Sequence, residues 1–297
     1  MLISICIITY KRKDYLKKLL LSLNEQENIN YQDVEIIVVD NDIHCSAKNI
    51  VEEFKTISKF SVVYDIEPIQ SIPRARNKTL ELSNGEYLAF IDDDEIADKK
   101  WLINHYNATQ KFNADACIGP LFPIYEGKIS KWIEYGKYFY RIHNSNDGEK
   151  TDLFYIGNFF VNKKKLGNTK FDNSLCLIGG EDTELFHRLK KNIKLIVCNN
   201  AVVFEHVSAN RANLKWLIQR HFRGGQSFVY IVKKKNLFLA MLYSIYGVFQ
   251  IFFYPLLFLF LVSFNFTKAM KYFLKTFLVF GKIMAFFPWQ YQEYKNR

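Results

Sequence analysis

Glycine and proline are scarce in this chain, 13 and 6 of 297 residues, so collagen-like and linker-type architectures are excluded. Cysteine is sparse as well: Cys6, Cys45, Cys117, Cys176 and Cys198 are scattered, odd in number and form no C-x-x-C pair. The opening Met1–Ile8 lacks the basic n-region and small-residue cleavage site of a signal peptide and reads as a buried strand. Reduced thiols are therefore expected, with the bulk of the chain on the cytoplasmic side. No internal repeat shows at solenoid periods. Charged residues reach 24% against 49% hydrophobic, which excludes wholesale disorder. At ~150 residues per domain the length suggests about two units.

Aromatic residues are abundant at 16%, with 27 Phe, and the formal charge is +10. That charge is unevenly placed. From Gln226 onward nine basic residues (Lys233, Lys234, Lys235, Lys268, Lys271, Lys275, Lys282, Lys295, Arg297) meet one acid, Glu293, so the tail carries +8 and residues 1–225 about +2. A nucleic-acid binder spreads its basic residues over a folded face. Here they flank an apolar tract, which argues for anionic lipid head groups and against nucleic acid as partner. Asn236–Thr267 holds no charged residue, room for one bilayer span of ~20 residues but not two. Pro255 is expected to kink or break a helix there. Tyr272–Trp289, interrupted by Lys275 and Lys282, reads as an interfacial amphipathic segment. A single span, a re-entrant hairpin and a buried helical hairpin of a soluble domain all stay open. Lysines on both sides leave orientation unfixed.

Before that tail, short apolar runs alternate with helical patterns, the mark of a parallel α/β sheet. Strands are expected at Ile3–Ile8, Val34–Val39, Ser61–Ile66, Glu86–Ile91, Ala114–Ile118, Asp152–Val161, Leu195–Cys198 and Ala201–Glu205. Helices are expected around the Leu16, Leu19, Leu20, Leu23 stripe, near Ala47–Ser58, and at Pro73–Leu82, Glu181–Lys191 and Asn213–Phe222. Leu121–Lys150 reads as an irregular aromatic insertion whose Trp132 and tyrosines offer stacking surfaces for sugar or lipid, or serve only packing. The boundary is set near Gly224-Gly225, where glycine permits a turn, giving domains 1–225 and 226–297.

Ligands of such sheets bind at the carboxyl ends of strands, where Asp40, Asp42 and Asp92-Asp93-Asp94 fall. Three adjacent like charges repel one another, and the cluster is costly unless a cation binds it. Oxygen ligands suit Mg²⁺ or Mn²⁺ held by one or two carboxylates, with remaining positions left to water and phosphate oxygens.

Asp92–Asp94, preceded by Ile72-Pro73-Arg74-Ala75-Arg76-Asn77 and Gly85–Ile91, resembles a family 2 glycosyltransferase. Ile7-Ile8-Thr9-Tyr10-Lys11-Arg12, Val38–Asp42, and Gly179-Gly180-Glu181-Asp182 with Leu185 and Arg188 match that family's other motifs in order. The likeness covers roughly residues 3–225. It implies an α/β GT-A fold (a Rossmann-like nucleotide-diphospho-sugar transferase domain), a nucleotide-sugar donor, a divalent cation and inversion at the anomeric carbon.

By that resemblance Thr9, Tyr10 and Arg12 begin the nucleotide pocket and Asp40 contacts the nucleoside, often uracil, with Asp42 beside it. Arg74 and Arg76 open a helix near the metal, where guanidinium groups suit diphosphate oxygens, the alternative being a plain solvated helix surface. Asp92 and Asp94 bracket the metal site, Asp94 being the favoured ligand; Asp93 counts as substrate-binding and not as a ligand, since adjacent side chains on extended backbone point to opposite faces. Asp182 is the expected general base. Glu181 either orients the acceptor or raises the pKa of Asp182, and the bland alternative for the pair is an acidic first turn favouring the helix dipole. His206 is a further metal or diphosphate ligand, or structural. Arg220 and Arg223 either close over the donor phosphates or start the basic membrane-proximal face.

The expected protein is thus a metal-dependent inverting glycosyltransferase on the cytoplasmic face of the cell membrane, acting on a lipid-linked or cell-surface glycan. Its rivals are a sugar nucleotidyltransferase, which wants a Gly-rich loop that Thr9–Arg12 lacks, and a non-catalytic membrane-anchored sugar-binding protein, which needs neither acidic motif.

Overall fold

The computed structural model describes residues 2–176 and 179–287. Trp289, Glu293, Lys295 and Arg297, which entered the reading of the tail, lie outside the described residues. The chain divides into two compact units, one of Met1–Ile124, Tyr140–Cys176 and Glu181–His206, the other of Tyr125–Phe139, Leu177–Gly180 and Val207–Arg297.

The first unit opens with β1 (Ile3–Thr9), α1 (Lys13–Asn24), β2 (Val34–Asp40), α2 (Lys48–Lys55), β3 (Ser61–Ile66), α3 (Ile72–Leu82) and β4 (Tyr87–Ile91). Every residue of β2 is buried, as the run Ile36–Val39 requires of a strand covered on both faces, and Glu35 within it accepts the Ser4 hydroxyl. The stripe Leu16, Leu19, Leu20 and Leu23 is the buried side of α1. Ser71 caps α3, its hydroxyl accepting the Arg74 amide at 3.4 Å, and Pro73 sits in the first turn. Along the chain there follow β5 (Glu95–Ala97), α4 (Trp101–Lys111), β6 (Ala116–Ile118), β7 (Leu121–Tyr125), α5 (Lys131–Gly136, in the second unit), β8 (Asn158–Asn162), α6 (Lys163–Leu166), α7 (Glu181–Leu189), β9 (Leu195–Val197) and β10 (Val203–Val207).

Seven strands form one sheet in the order β3-β2-β1-β4-β8-β6-β9, and a smaller sheet runs β5-β10-β7. The sheet is mixed, not parallel: β8 pairs antiparallel with both β4 and β6. An apolar run does not encode its direction, and an antiparallel neighbour requires no helical crossover. The strand expected over 152–161 begins only at Asn158, because 151–157 is a loop crossing the strand ends. The region expected to be irregular, 121–150, contains β7 and α5.

The second unit holds α5 and three long helices, α8 (Leu214–Lys235), α9 (Leu237–Leu261) and α10 (Phe266–Met284). Its core includes Ile133, Phe139, Leu217 and Leu274. α8 runs straight through Gly224-Gly225, where a turn was expected. The reason is packing: a Cβ on Gly225 would lie 1.9 Å from the Leu278 carbonyl oxygen, and one on Gly281 2.0 Å from that of Phe222. The glycines therefore bring α8 and α10 together backbone to backbone. Pro255 likewise lies inside α9 without ending it. By length and composition α9 is able to cross a membrane, and Phe238, Phe249, Phe252 and Phe260 on it are exposed.

Candidate active site

Neighbouring strands β2, β1 and β4 end at Asp40, Thr9 and Ile91, so three turns emerge side by side at the carboxyl edge of the sheet. Lys11 in the first turn and Cys45 in the second take left-handed backbone, φ 56° and 57°. Two arginines organise the carboxylates there. Arg12 Nη1 reaches Asp93 Oδ1 and Asp94 Oδ2, both at 3.0 Å, and Thr9 Oγ1 donates to Asp93 Oδ2 at 2.8 Å. Arg76, projecting from α3, spans a wider gap: Nη2 meets Asp92 Oδ1 at 3.2 Å, while Nη1 meets Glu181 Oε1 at 3.0 Å and Asp182 Oδ1. Asp92 and Asp182, ninety residues apart in sequence, are thus held by one guanidinium.

The structure therefore brings together Thr9, Arg12, Arg76, Asp92, Asp93, Asp94, Glu181 and Asp182. His206 joins them through its backbone N–H, which donates to the Asp94 carbonyl at 2.8 Å, and its ring lies 5.5 Å from that of Tyr15. It sits within β10, not past the strand as expected. Tyr10 is half-buried, with the Lys11 ammonium 5.0 Å over its ring.

Other residues are placed differently. Asp40 is fully buried, and its oxygens accept the Asp42 amide at 3.1 Å, the Ala47 amide at 2.7 Å and the Tyr64 hydroxyl at 3.0 Å. It shapes the turn, as does Asp42, which accepts the His44 amide at 3.2 Å. Arg74 is exposed: two residues before Arg76, it lies roughly 200° around the helix. Arg76 faces carboxylates where diphosphate was expected. Arg220 and Arg223 belong to the second unit, Arg220 stacking on Trp216 at 5.1 Å and Phe139 at 5.8 Å, and Arg223 lying beside Gly179.

Burial raises the pKa of Asp182 to about 6, Arg76 pulling it down and Glu181 pushing it up. Burial raises Asp93 to about 7 against the pull of Arg12. Asp92 and Glu95 are raised by burial too, Glu95 well above the ordinary carboxylate range. Both arginines stay charged, the surrounding carboxylates outweighing the cost of burial.

Five carboxyl groups (Asp92, Asp93, Asp94, Glu181, Asp182) thus meet two guanidinium groups, with Glu95 accepting the Asp92 amide beside them, an excess of acidic groups that one divalent cation would relieve. Among the described residues no three His, Cys, Asp or Glu side chains converge as a ready coordination cage, so Asp92, Asp94 and His206 do not form one, Asp94 being held by Arg12 and Asp92 by Arg76. The donors fit Mg²⁺ or Mn²⁺ taken by one or two carboxylates and completed by phosphate oxygens.

Sequence reasoning missed Glu95, Asn158, and the Ile156 amide, which donates to Asp182 Oδ2 at 3.3 Å. Between the last two, a Cβ on Gly157 would lie 2.2 Å from Glu95 Oε1 and 3.1 Å from Asp92 Oδ2. A glycine interrupting an apolar strand pattern is the signal that pointed there.

The pattern of the family described as Glycosyl transferase family 2 matches residues 4–169. The succinoglycan biosynthesis protein ExoM of Rhizobium meliloti is 32% identical over 238 residues, 78% of this chain and 76% of that protein. The abequosyltransferase RfbV of Salmonella typhimurium is 36% identical over 99 residues, 33% of this chain and 29% of that protein. Among solved structures, S. aureus TarS 1-349 in complex with UDP superposes with a TM-score of 0.59 at 14% identity, covering 96% of this chain and 90% of that one. The mannosyltransferase PcManGT from Pyrobaculum calidifontis, in complex with GDP-Man and Mn²⁺, gives 0.56 at 16% identity over 78% and 63%. The last two carry the fold, a GT-A-like α/β sheet.

Proposed function

The chain belongs to glycosyl transferase family 2, and on that premise we propose that it transfers a sugar, with inversion, from a UDP-linked donor to a lipid-linked or cell-surface glycan acceptor. The observation that carries this reading is the Arg76 clamp, which puts Asp182 across one guanidinium from Asp92. In-line attack by an acceptor hydroxyl needs a single base on the acceptor side to take its proton. Asp182 is that base: half-buried, raised to about 6, and so ionised near neutrality yet more basic than a surface aspartate. Glu181, against the same guanidinium, orients the acceptor.

Arg12 and Thr9 hold Asp93 and Asp94 at the end of the nucleotide pocket, which Tyr10, Asp42 and the Asp40-anchored turn extend. Mg²⁺ or Mn²⁺ held by Asp92 and Asp94, with His206 beside them, would neutralise charge growing on the departing diphosphate. A relative in succinoglycan biosynthesis and an abequosyltransferase support a surface-glycan acceptor. The apolar α9 and the lysines of α10 support a catalytic unit tethered at the cytoplasmic face of the membrane, alongside an acceptor in the same bilayer.

Purified protein incubated with a panel of nucleotide sugars and Mn²⁺ should release nucleoside diphosphate from one of them. Asp182→Asn should keep donor binding and lose transfer. Near-normal turnover in that variant would remove Asp182 from the mechanism.

A further inference from the structure

A buried polar network lies directly behind the loop that touches Asp182. Asn158, the first residue of β8, is fully buried and uses its whole hydrogen-bonding capacity. Its Nδ2 donates to the carbonyls of Pro120 at 2.9 Å and Ala201 at 2.7 Å. Its Oδ1 accepts Trp101 Nε1–H at 2.8 Å and lies 2.7 Å from His105 Nε2. Carbonyls on one side and an indole N–H on the other fix which way the amide points. His105 must then carry its proton on Nε2, leaving Nδ1 to accept the Cys117 thiol 3.0 Å away. Trp101, His105 and Cys117 are all fully buried. Gly119 keeps the space open, since a Cβ there would lie 2.6 Å from Asn158 Nδ2 and 2.0 Å from the Ala201 carbonyl oxygen.

Four hydrogen bonds at one side chain exceed what a packing residue needs, and the backbone just before it has two demanding contacts. Ile156 N–H points at Asp182, and Gly157 passes against Glu95 and Asp92 with no room for a Cβ. In the sheet Asn158 stands opposite Ile91, the residue preceding Asp92. We infer that Asn158, braced by Trp101 and His105, positions the Ile156-Gly157 backbone between Asp182 and the Asp92/Glu95 carboxyls and so sets the aim of the base. These are positioning residues; none of them touches substrate. The inference deepens the transferase reading and rests on it for its catalytic consequence, while its structural half stands apart.

The test uses Trp101→Phe, which keeps an aromatic ring and deletes one donor to Oδ1, with His105→Leu and His105→Gln as a second pair. Glutamine can return a donor near the place of Nε2. Residue-resolved hydrogen exchange should quicken at Ile156 and Gly157 in Trp101→Phe and His105→Leu, leave 159–162 protected, and revert toward the parent in His105→Gln. In transfer assays kcat should fall about tenfold with the donor KM unchanged, within the ~100-fold that a 1 Å misplacement costs. Unchanged exchange at 156–157 in both weakening variants overturns the inference. So does equal loosening of 159–162, which would make the network a general brace of the strand. If exchange behaves as expected but the parent transfers no sugar from any donor, the transferase reading fails and the positioning of Asp182 stands.

Discussion

Arg76→Met keeps an unbranched apolar stem and removes the guanidinium that ties three carboxylates together. The arginine side chain is 7% exposed, so its departure leaves Asp92, Glu181 and Asp182 facing one another without their shared cation. Breaking a buried pair by removing one partner costs ~3–5 kcal/mol. The lower end applies, because the Asp92 and Asp182 side chains are 38% and 28% exposed and water shares their charge. With ~1 kcal/mol moving Tm by roughly 2–4 °C in a unit of this size, the expected loss at pH 8 is roughly 6–12 °C.

The pH dependence has a definite sign. Arg76 lowers the pKa of Asp182 relative to the same buried carboxyl without it, so its contribution exists while the carboxylates are ionised and vanishes as they protonate. The melting deficit of the variant should therefore be large at pH 8 and shrink as pH falls through about 6. Arg76→Lys should fall between, since a point charge cannot fork across both groups. Thermal melts of the parent and both variants at pH 5 and 8, in EDTA, give the answer. A deficit that is absent at pH 8, or equal at both pH values, refutes the clamp.

Gly157→Ala should cost ~1–3 kcal/mol by forcing Glu95 aside and should lower transfer further than the melt alone explains; melts and turnover on one preparation compare the two. In the parent, burial raises Asp93 to about 7 and Asp182 to about 6. The folded state then holds protons that an unfolded chain releases near pH ~3.9, so stability from these groups should decline as pH climbs from about 4 to about 7. Denaturant titrations in EDTA should follow that slope, and added Mn²⁺ should raise Tm more at pH 8 than at pH 5. The exposed Lys268, Lys271 and Lys275 of α10, replaced together by Gln, should weaken binding to anionic vesicles on the order of a hundredfold at ~1 kcal/mol each, measured by flotation against neutral vesicles.

The strands β2 and β4 were legible because the runs Ile36–Val39 and Tyr87–Ile91 each lead straight into aspartate, a sequence that suits neither a surface helix nor a solvated loop. What a sequence cannot carry is direction and partner. Nothing in Asn158–Asn162 distinguishes an antiparallel strand from a parallel one, and the same holds for the loop that crosses to it. Arg74 and Arg76 look equivalent in sequence, yet helical phase sends one to solvent and the other into the carboxylates. Asp40 was readable as a strand-end acid, but not that an amide pair and Tyr64 would already occupy its oxygens. Gly224-Gly225 failed for a related reason: local flexibility suggested a bend, and the close neighbour that demanded a missing side chain lay more than fifty residues downstream.

That neighbour bears on how the three-helix assembly tolerates change. Apolar side chains gain nothing from one another's company when the surroundings are themselves hydrocarbon, so the phenylalanines over α9 can be exchanged for leucines with little penalty in a lipid phase. The meeting of main chains at Gly225 and Gly281 owes nothing to solvent and works equally in water or in oil. Mutational drift should consequently be broad across the greasy surface and nearly frozen at two positions, where a single added methyl group would prise the pair apart.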